Sequence, residues 1–176
     1  MVANVPKSST FTGFTLIELL VVMVLISILA LVGMPTFQGS QRKARDGKRK
    51  ADLAQVSKAL EMYVNDIGRY PCVTSPGGVD AGFMTDCVNN VYTWGKEFIH
   101  GSTVYMQKLP IDPLEMRQRY YYEPVEVDDV AGKGFRLWAY LENKDDPDIV
   151  TNPNPAVINC FVGACNYALK SPNLIQ

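Results

Sequence analysis

A single carboxylate stands inside the most apolar stretch of this chain of 176 residues. From residue 14 to residue 37 only four residues are polar, namely Thr15, Glu18, Ser27 and Thr36. An acid in an apolar segment is costly unless it finds a partner, and such acids usually mark functional positions. The segment contains no Lys, Arg or His. We therefore expect the partner of Glu18 to be a cation from another chain or a newly formed terminus.

A second candidate is the acidic turn "ENKDDPD", residues 142–148. Its carboxylate and amide oxygens are hard ligands of the kind that Ca²⁺ prefers. One interpretation is a metal site that uses Asp145, Asp146 and Asp148, helped by Asn143, with calcium as the candidate cofactor. A solvated acidic turn without any cofactor is the favoured alternative.

Four cysteines, Cys72, Cys87, Cys160 and Cys165, lie among turn residues in the second half of the chain. Two disulfides in an oxidising compartment are the favoured interpretation, and four reduced core thiols are the alternative. Three pairings are possible. The one that joins Cys72 to Cys87 and Cys160 to Cys165 closes the shortest loops. The paired two-residue gaps of a zinc ribbon are absent from the sequence.

Nothing in the sequence indicates catalysis. The one histidine, His100, lies in a predicted loop and is expected to be a surface or hydrogen-bonded residue. Neither a glycine-rich phosphate loop nor a Gly-x-Ser-x-Gly elbow occurs. The formal net charge of −1 gives no indication of a nucleic acid partner. We predict that the chain is not an enzyme.

A long helix is expected to carry Glu18. As a helix, residues 14–37 would rise roughly 36 Å, which is enough to cross a hydrocarbon core of about 30 Å. A cleaved secretory signal is the rival interpretation, although its apolar region is shorter. Beyond this segment one apolar helical face recurs. It comprises Leu53, Val56, Leu60, Tyr63, Val64 and Ile67. The pattern predicts one helix over 14–67, ended by Gly68.

The second half of the chain predicts a small antiparallel sheet, so the expected fold class is α+β. Strands are expected at 119–127 and 134–141, joined by the hairpin loop "DDVAGKG". A third strand is expected at 157–162 and a short helix at 94–100. The rest of 72–108 is expected to be irregular. The rear half of the helix should lie across the sheet.

Basic residues cluster just after the apolar run, at Arg42, Lys43, Arg45, Lys48, Arg49 and Lys50. Residues 1–68 hold eight Lys or Arg and five Asp or Glu, a net charge of +3, and the remainder carries −4. The positive-inside rule would place the part of the chain that follows the apolar run in the cytoplasm. The cysteines favour an extracytoplasmic placement of the same part, and we prefer that placement. The cluster is expected to contact lipid head groups or acidic neighbouring heads, or to be a solvated helix face. Helical spacing also predicts the pairs Asp46–Lys50 and Lys48–Asp52.

The stretch "KSSTFTGFTLIELLVVMVLI", residues 7–26, resembles the class III prepilin leader and N-methylphenylalanine segment of type IV pilins and type II secretion pseudopilins. Residues 50–71, "KADLAQVSKALEMYVNDIGRYP", resemble the helix end of major pseudopilins and related pilins. "LPIDP", residues 109–113, followed by "YYY", resembles the loop and first strand of the pseudopilin head.

The resemblance implies a role for several residues. A prepilin peptidase is expected to cut between Gly13 and Phe14 and to methylate the new amino group of Phe14. Glu18 would then meet the terminal ammonium of a neighbouring subunit, and the helix would bend near Pro35. Major pseudopilins also carry a calcium loop near residues 142–148.

The implied organisation is a leader at 1–13, an apolar transmembrane and assembly helix at 14–37, its amphipathic continuation at 38–68 and a globular head at 69–176. The expected function is a pilin of a type IV pilus-like helical filament, with the major pseudopilin of a type II secretion system as the alternative. A membrane-tethered binding module that never polymerises is the alternative of another class. Expected partners are further copies, the peptidase, the assembly machinery and membrane lipid. The chain would be anchored in the inner membrane with an extracytoplasmic head.

Overall fold

The structure is a computed structural model that describes residues 13–73, 83–88, 90–115, 117–127, 130–152, 154–155 and 158–174. For some of these residues the structure describes the backbone alone, namely 32–36, 126–127 and 130–132. The chain divides into two compact units, Met1–Ser40 and Gln41–Gln176. Most of the expected leader, residues 1–12, falls outside the described part.

One helix, α1, runs from Leu16 to Ile67 and confirms the long helix that the sequence predicts. Its last turn closes where Gly68, at φ 83°, donates its N–H to the carbonyl of Val64 at 2.8 Å. A left-handed residue at this position satisfies a terminal carbonyl, and glycine adopts that conformation without steric cost. The backbone of Pro35 lies within the helix, and the bend expected there stays a prediction.

The front unit presents apolar side chains along the helix. The side chains of Phe14 and Leu16 are 86% and 88% exposed, and the apolar residues up to Leu31 are also exposed. The hydroxyl of Ser27 donates a hydrogen bond to the carbonyl of Met23 at 2.7 Å, so the helix itself satisfies this polar group. Within the described residues, no helix combines the length and the apolar character that crossing a membrane requires.

The described residues of the head form three small antiparallel sheets, which confirms the α+β class. Their strands are β1 Cys72–Val73, β2 Met84–Thr85, β3 Val91–Tyr92, β4 Phe98–His100, β5 Thr103–Met106, β6 Tyr121–Val127, β7 Val130–Ala139 and β8 Tyr167–Lys170. The first sheet has the order β1-β2-β3, the second pairs β4 with β5, and the third, which we call the large sheet, has the order β6-β7-β8. A 3₁₀ turn, Pro172–Leu174, follows β8.

Several local predictions were wrong. The short helix expected at 94–100 is absent, because residues 98–100 form β4 and turn back into β5 at Gly101, which has φ 59°. The described residues of 72–108 are more regular than expected, since they hold the five strands β1 to β5. The third strand of the large sheet is β8 rather than 157–162, where the described residues make one bridge, Asn159 to Ala164.

The hairpin between β6 and β7 is tighter than expected. Val127 already pairs with Val130, so the connection is two residues long instead of the seven of "DDVAGKG". The register shifts between Val125 and Val127, which marks an irregularity in β6. The glycines of this stretch therefore lie within β7 and not in a loop. A glycine in a strand is compatible with close packing, and a Cβ at Gly134 would meet Ser171 and Leu174 at 3.2 Å.

The apolar face of α1 packs against the head as predicted. Leu53, Val56, Leu60 and Tyr63 are fully or almost fully buried, and they share one core with the inward residues of β6 and β7. Those inward residues are Tyr122, Phe135, Leu137 and Ala139. The alternation of β7 therefore directs one side toward the helix.

The other side of the large sheet is also covered. Trp138 is 2% exposed and packs with Tyr121, Ile158 and the two buried cysteines Cys160 and Cys165. Its indole N–H donates to Glu123 at 2.8 Å. The segment around residues 158–165 therefore forms a second apolar cluster on the face away from α1, where the alternation alone would suggest solvent.

Candidate assembly segment and buried arginine cluster

The bond expected to be cleaved, between Gly13 and Phe14, lies just before α1. Gly13 precedes the first helical residue, and no described atom lies within 4 Å of where its Cβ would stand. The Phe14 side chain is almost fully exposed. Packing in the described structure therefore does not require glycine at position 13.

Glu18 closes a capping box at the start of α1. The backbone N–H and the hydroxyl of Thr15 both donate to Glu18 Oε2, at 2.9 Å and 2.8 Å. In return the Glu18 N–H donates to Thr15 Oγ1 at 3.3 Å. This reciprocal pattern satisfies terminal N–H groups that the helix leaves free. The sequence signal that could have identified this cap is the spacing Thr-x-x-Glu.

A buried arginine is the main polar feature of the head. The side chain of Arg49 is 0% exposed and donates to three carboxylates. Its Nε and Nη2 form a bidentate pair with Asp112, at 2.7 Å and 3.0 Å. Its Nη1 donates to Asp46 at 2.7 Å and to Glu142 at 2.8 Å. A planar guanidinium suits such paired recognition, and burial strengthens each hydrogen bond.

The carboxylates around Arg49 also bind backbone groups of the head. Asp46 accepts the N–H groups of Glu142 at 3.0 Å and Asn143 at 2.8 Å. Asp112 accepts the N–H of Leu114 at 2.8 Å. We call Arg45, Asp46, Arg49, Asp112 and Glu142 the arginine cluster. It joins the first turns of the helix in the second unit to the "LPIDP" loop and to the turn after β7.

The structure corrects the expectations for the basic residues. Arg45, Arg49 and Lys50 pair with acids of the head instead of belonging to one solvated helix face, and the expected contact with lipid head groups or neighbouring heads stays a prediction. Arg42, Lys43 and Lys48 are exposed. The helical pairs Asp46–Lys50 and Lys48–Asp52 are not formed. Asp46 binds Arg49 instead, and Asp52 accepts the hydroxyl of Tyr120 at 2.8 Å.

Glu142 makes the head sensitive to acid. The hydrogen bonds from Arg45, at 2.7 Å and 2.6 Å, together with those from Arg49, lower the pKa of Glu142 from 4.5 to about 2. A carboxylate with a lowered folded pKa stabilises the protein above its unfolded pKa, and this stability is lost as pH falls through the folded pKa.

We therefore expect the thermal midpoint of the head to fall between about pH 4.5 and about pH 2, and Glu142→Gln to flatten this part of the profile. The variant should also be less stable than the wild type at neutral pH. Circular dichroism melts across pH measure both effects. Glu97→Gln, at an exposed carboxylate, is the control. Identical slopes for the wild type and Glu142→Gln would contradict the assignment.

The acidic turn holds a lysine. Lys50 Nζ donates to Asp146 at 2.7 Å and to Asp148 at 2.6 Å, and Asp145 is exposed. Among the residues that the structure describes, no three Asp, Glu, His or Cys side chains are grouped to hold a metal ion.

The cysteines pair within the head. Cys72 is bonded to Cys87 and Cys160 to Cys165, which is the arrangement with the shortest loops. His100 lies in β4, and its Nδ1 is 3.1 Å from the hydroxyl of Tyr92. It is 4.0 Å from a carboxylate oxygen of Asp86. This histidine is hydrogen-bonded and half-buried.

A helix with an exposed apolar front, a Gly-Phe junction before it and a small antiparallel head define a pilin-like class of protein. A family model described as "Prokaryotic N-terminal methylation motif" matches residues 9–34. No solved structure matches this chain.

Curated relatives give a more specific family. The type II secretion system core protein G of Aeromonas hydrophila is 35% identical over 102 residues, 58% of this chain and 66% of that protein. Its counterpart in Klebsiella pneumoniae is 34% identical over 57% of this chain and 67% of that protein. The counterpart in Escherichia coli is 34% identical over 57% and 65%. The match thus spans about two thirds of each relative. The chain belongs to the family of type IV pilins and type II secretion pseudopilins.

Proposed function

We propose that this chain is a pseudopilin, a structural subunit that polymerises through its front helix as part of a type II secretion system. The observation that carries the proposal is the exposed apolar helix with one acid, Glu18, four residues after Phe14 of the Gly13-Phe14 junction. The names of the relatives support the secretion role over the pilus role. We assign the chain a structural role and no catalytic one.

Processing would precede assembly. A prepilin peptidase would cut after Gly13 and methylate Phe14, which creates a terminal ammonium close to Glu18. Before assembly the apolar front would be held in inner-membrane lipid, with the head outside the cytoplasm. The two disulfides of the head support an oxidising location.

Assembly would bring the apolar fronts of neighbouring copies together. Lipid tails are as apolar as these side chains, so close packing between helices, and not burial from water, would drive the exchange of lipid for other copies. The charge of Glu18 would set the register between copies, because an ion left unpaired in an apolar environment is unfavourable. Further copies and the secretion assembly machinery are the proposed partners.

Mass spectrometry of the chain purified from its host membranes tests the proposal. We expect a mature chain that begins with N-methylated Phe14, and a Gly13→Leu variant that keeps its leader. The substitution tests the peptidase rather than the fold, since no described atom contacts a side chain at position 13. A native chain that retains its thirteen leading residues would overturn the proposal.

The type IV pilus is the second candidate, because the methylation motif is common to both assemblies. Deleting the coding sequence separates the two. Loss of extracellular enzyme secretion with normal surface pili supports the secretion role, whereas loss of surface pili with normal secretion supports the pilus role. A membrane-tethered module that never polymerises predicts no loss of either.

A further inference from the structure

The turn of residues 142–148 is closed by a charge from the helix. Lys50 Nζ lies between Asp146 Oδ1 and Asp148 Oδ2, at 2.7 Å and 2.6 Å. The ring of Tyr167 lies 5.6 Å from the same ammonium, so an aromatic face lines a third side. Asp146 Oδ1 also accepts the N–H of Asp148 at 3.0 Å. The ammonium therefore lies at the point where the carboxylates of Asp146 and Asp148 converge.

The backbone of the turn is arranged around this contact. The N–H of Asp146 donates to the carbonyl of Asn143 at 3.3 Å, and the N–H of Ile149 donates to the carbonyl of Asp146 at 3.2 Å. Asp146 thus takes part in two backbone hydrogen bonds of the turn as well as in the ion pair. Losing the ammonium would leave two carboxylates facing each other, and this would strain the turn that positions Glu142.

Calcium, which the resemblance to major pseudopilins implies for this turn, does not fit these residues. Ca²⁺ takes about six to eight oxygen ligands at about 2.3–2.6 Å. Two carboxylates converge here, and both already bind Lys50. Asp145 is exposed, and the described residues offer no group of three metal-ligating side chains. A calcium ion at this point would have to displace the ammonium and leave it unpaired beside a second cation.

The charge state of Lys50 agrees with this geometry. Partial burial opposes the charged form, but the hydrogen bonds to Asp146 and Asp148 outweigh it and raise the pKa of the ammonium. The same contact acts in the opposite direction on its partner, because the hydrogen bond from Lys50 lowers the pKa of Asp146. Both groups are therefore charged throughout the neutral range.

We propose that Lys50 replaces a divalent cation in closing the turn of residues 142–148, so that this head folds and stays folded without calcium. An ammonium attached to α1 is always present at the site, whereas a bound ion depends on its concentration in the surrounding medium. The proposal does not depend on whether the filament belongs to secretion or to a pilus.

Thermal unfolding of the full chain in detergent, monitored by near-ultraviolet circular dichroism, tests the proposal. The wild type should have the same Tm in excess EGTA, in millimolar calcium and in millimolar magnesium. Lys50→Met should lower Tm in EGTA by about 3–5 °C, the shift expected when a partly exposed lysine that pairs with two carboxylates is lost from a domain of this size. Lys43→Met, at an exposed lysine of the same helix, is the matched control and should leave Tm unchanged.

Two results would overturn the proposal. One is a wild-type Tm that rises with calcium but not with magnesium, which would show that the head binds calcium. This measurement needs no variant, so it stands even if Lys50→Met fails to fold. The other is a Lys50→Met variant with the same Tm as Lys43→Met, which would show that the ammonium does not hold the turn.

Discussion

Replacing Arg49 with methionine is expected to lower the free energy of unfolding of the head by about 3–5 kcal/mol. The loss would leave Asp46 and Asp112, both buried, without the guanidinium that neutralises them. Breaking a buried ion pair on one side is far more costly than losing a surface pair. Whole domains are stable by about 5–15 kcal/mol, so this loss is a large part of the total. We expect the melting midpoint to fall by at least about 10 °C. Circular dichroism melts of the full chain in detergent measure this.

Two further variants make the result specific to the arginine cluster. Arg42→Met changes an exposed arginine of the same helix and should leave the midpoint unchanged. Combining Arg49→Met with Asp112→Asn removes one of the two buried charges that the loss of the arginine leaves unpaired, and it keeps an oxygen for the N–H of Leu114. The double variant should recover part of the lost stability. A double variant less stable than Arg49→Met alone would contradict the unpaired-charge explanation.

Replacing Glu18 with glutamine is expected to abolish filaments while leaving the start of the helix intact. Glutamine can take the place of glutamate in a capping box, so the oxygen that accepts from Thr15 is kept and only the charge is lost. Without that charge, a neighbour's terminal ammonium would be unpaired in an apolar environment, at a cost of several kcal/mol. Filament yield should fall at least about a hundredfold, since about 1.4 kcal/mol corresponds to tenfold. Electron microscopy of cells that overproduce the chain with its assembly machinery measures the yield.

Thr15→Val is the matched control for Glu18→Gln. It removes the hydroxyl that donates to Glu18 and accepts from its N–H, and it keeps the carboxylate. Losing a helix cap costs about 1 kcal/mol, so this variant should still form filaments. If Glu18→Gln polymerised normally and Thr15→Val did not, the acid would serve the helix end and not the contact between copies.

The sequence was sufficient to predict the elements with long regular patterns. The apolar spacing of Leu53, Val56, Leu60 and Tyr63 predicted both the helix and its buried face, because a period near 3.6 sustained over several turns matches an α-helix and not a strand. Gly68 marked the helix end for a local steric reason.

The arginine cluster could not be predicted in the same way. Arg49 stands among other basic residues, and arginine is almost never fully buried unless it is paired. Its partners Asp112 and Glu142 are 63 and 93 residues away, and no local pattern links such positions. The cluster exists because the chain folds these loops onto one turn of the helix. Composition alone suggests that the six basic residues form one surface, whereas the fold separates them into paired and exposed sets.

Short strands were missed for a different reason. β1, β2 and β3 have two residues each, which is too few for an alternating pattern to appear. Their pairing depends on partners brought together by the fold and by the Cys72–Cys87 bond. The glycines of "DDVAGKG" suggested a loop, although pairing with β6 holds most of that stretch as a strand.

The Cys160–Cys165 bond has a consequence for the order of events in the life of the chain. Both cysteines pack against Trp138, so the bond between them fixes the segment that completes the outer apolar cluster. Disulfides form outside the reducing cytosol. In an exported chain, this face of the head therefore matures only after translocation. We therefore expect this face of the head to gain stability when Cys160 and Cys165 become oxidised.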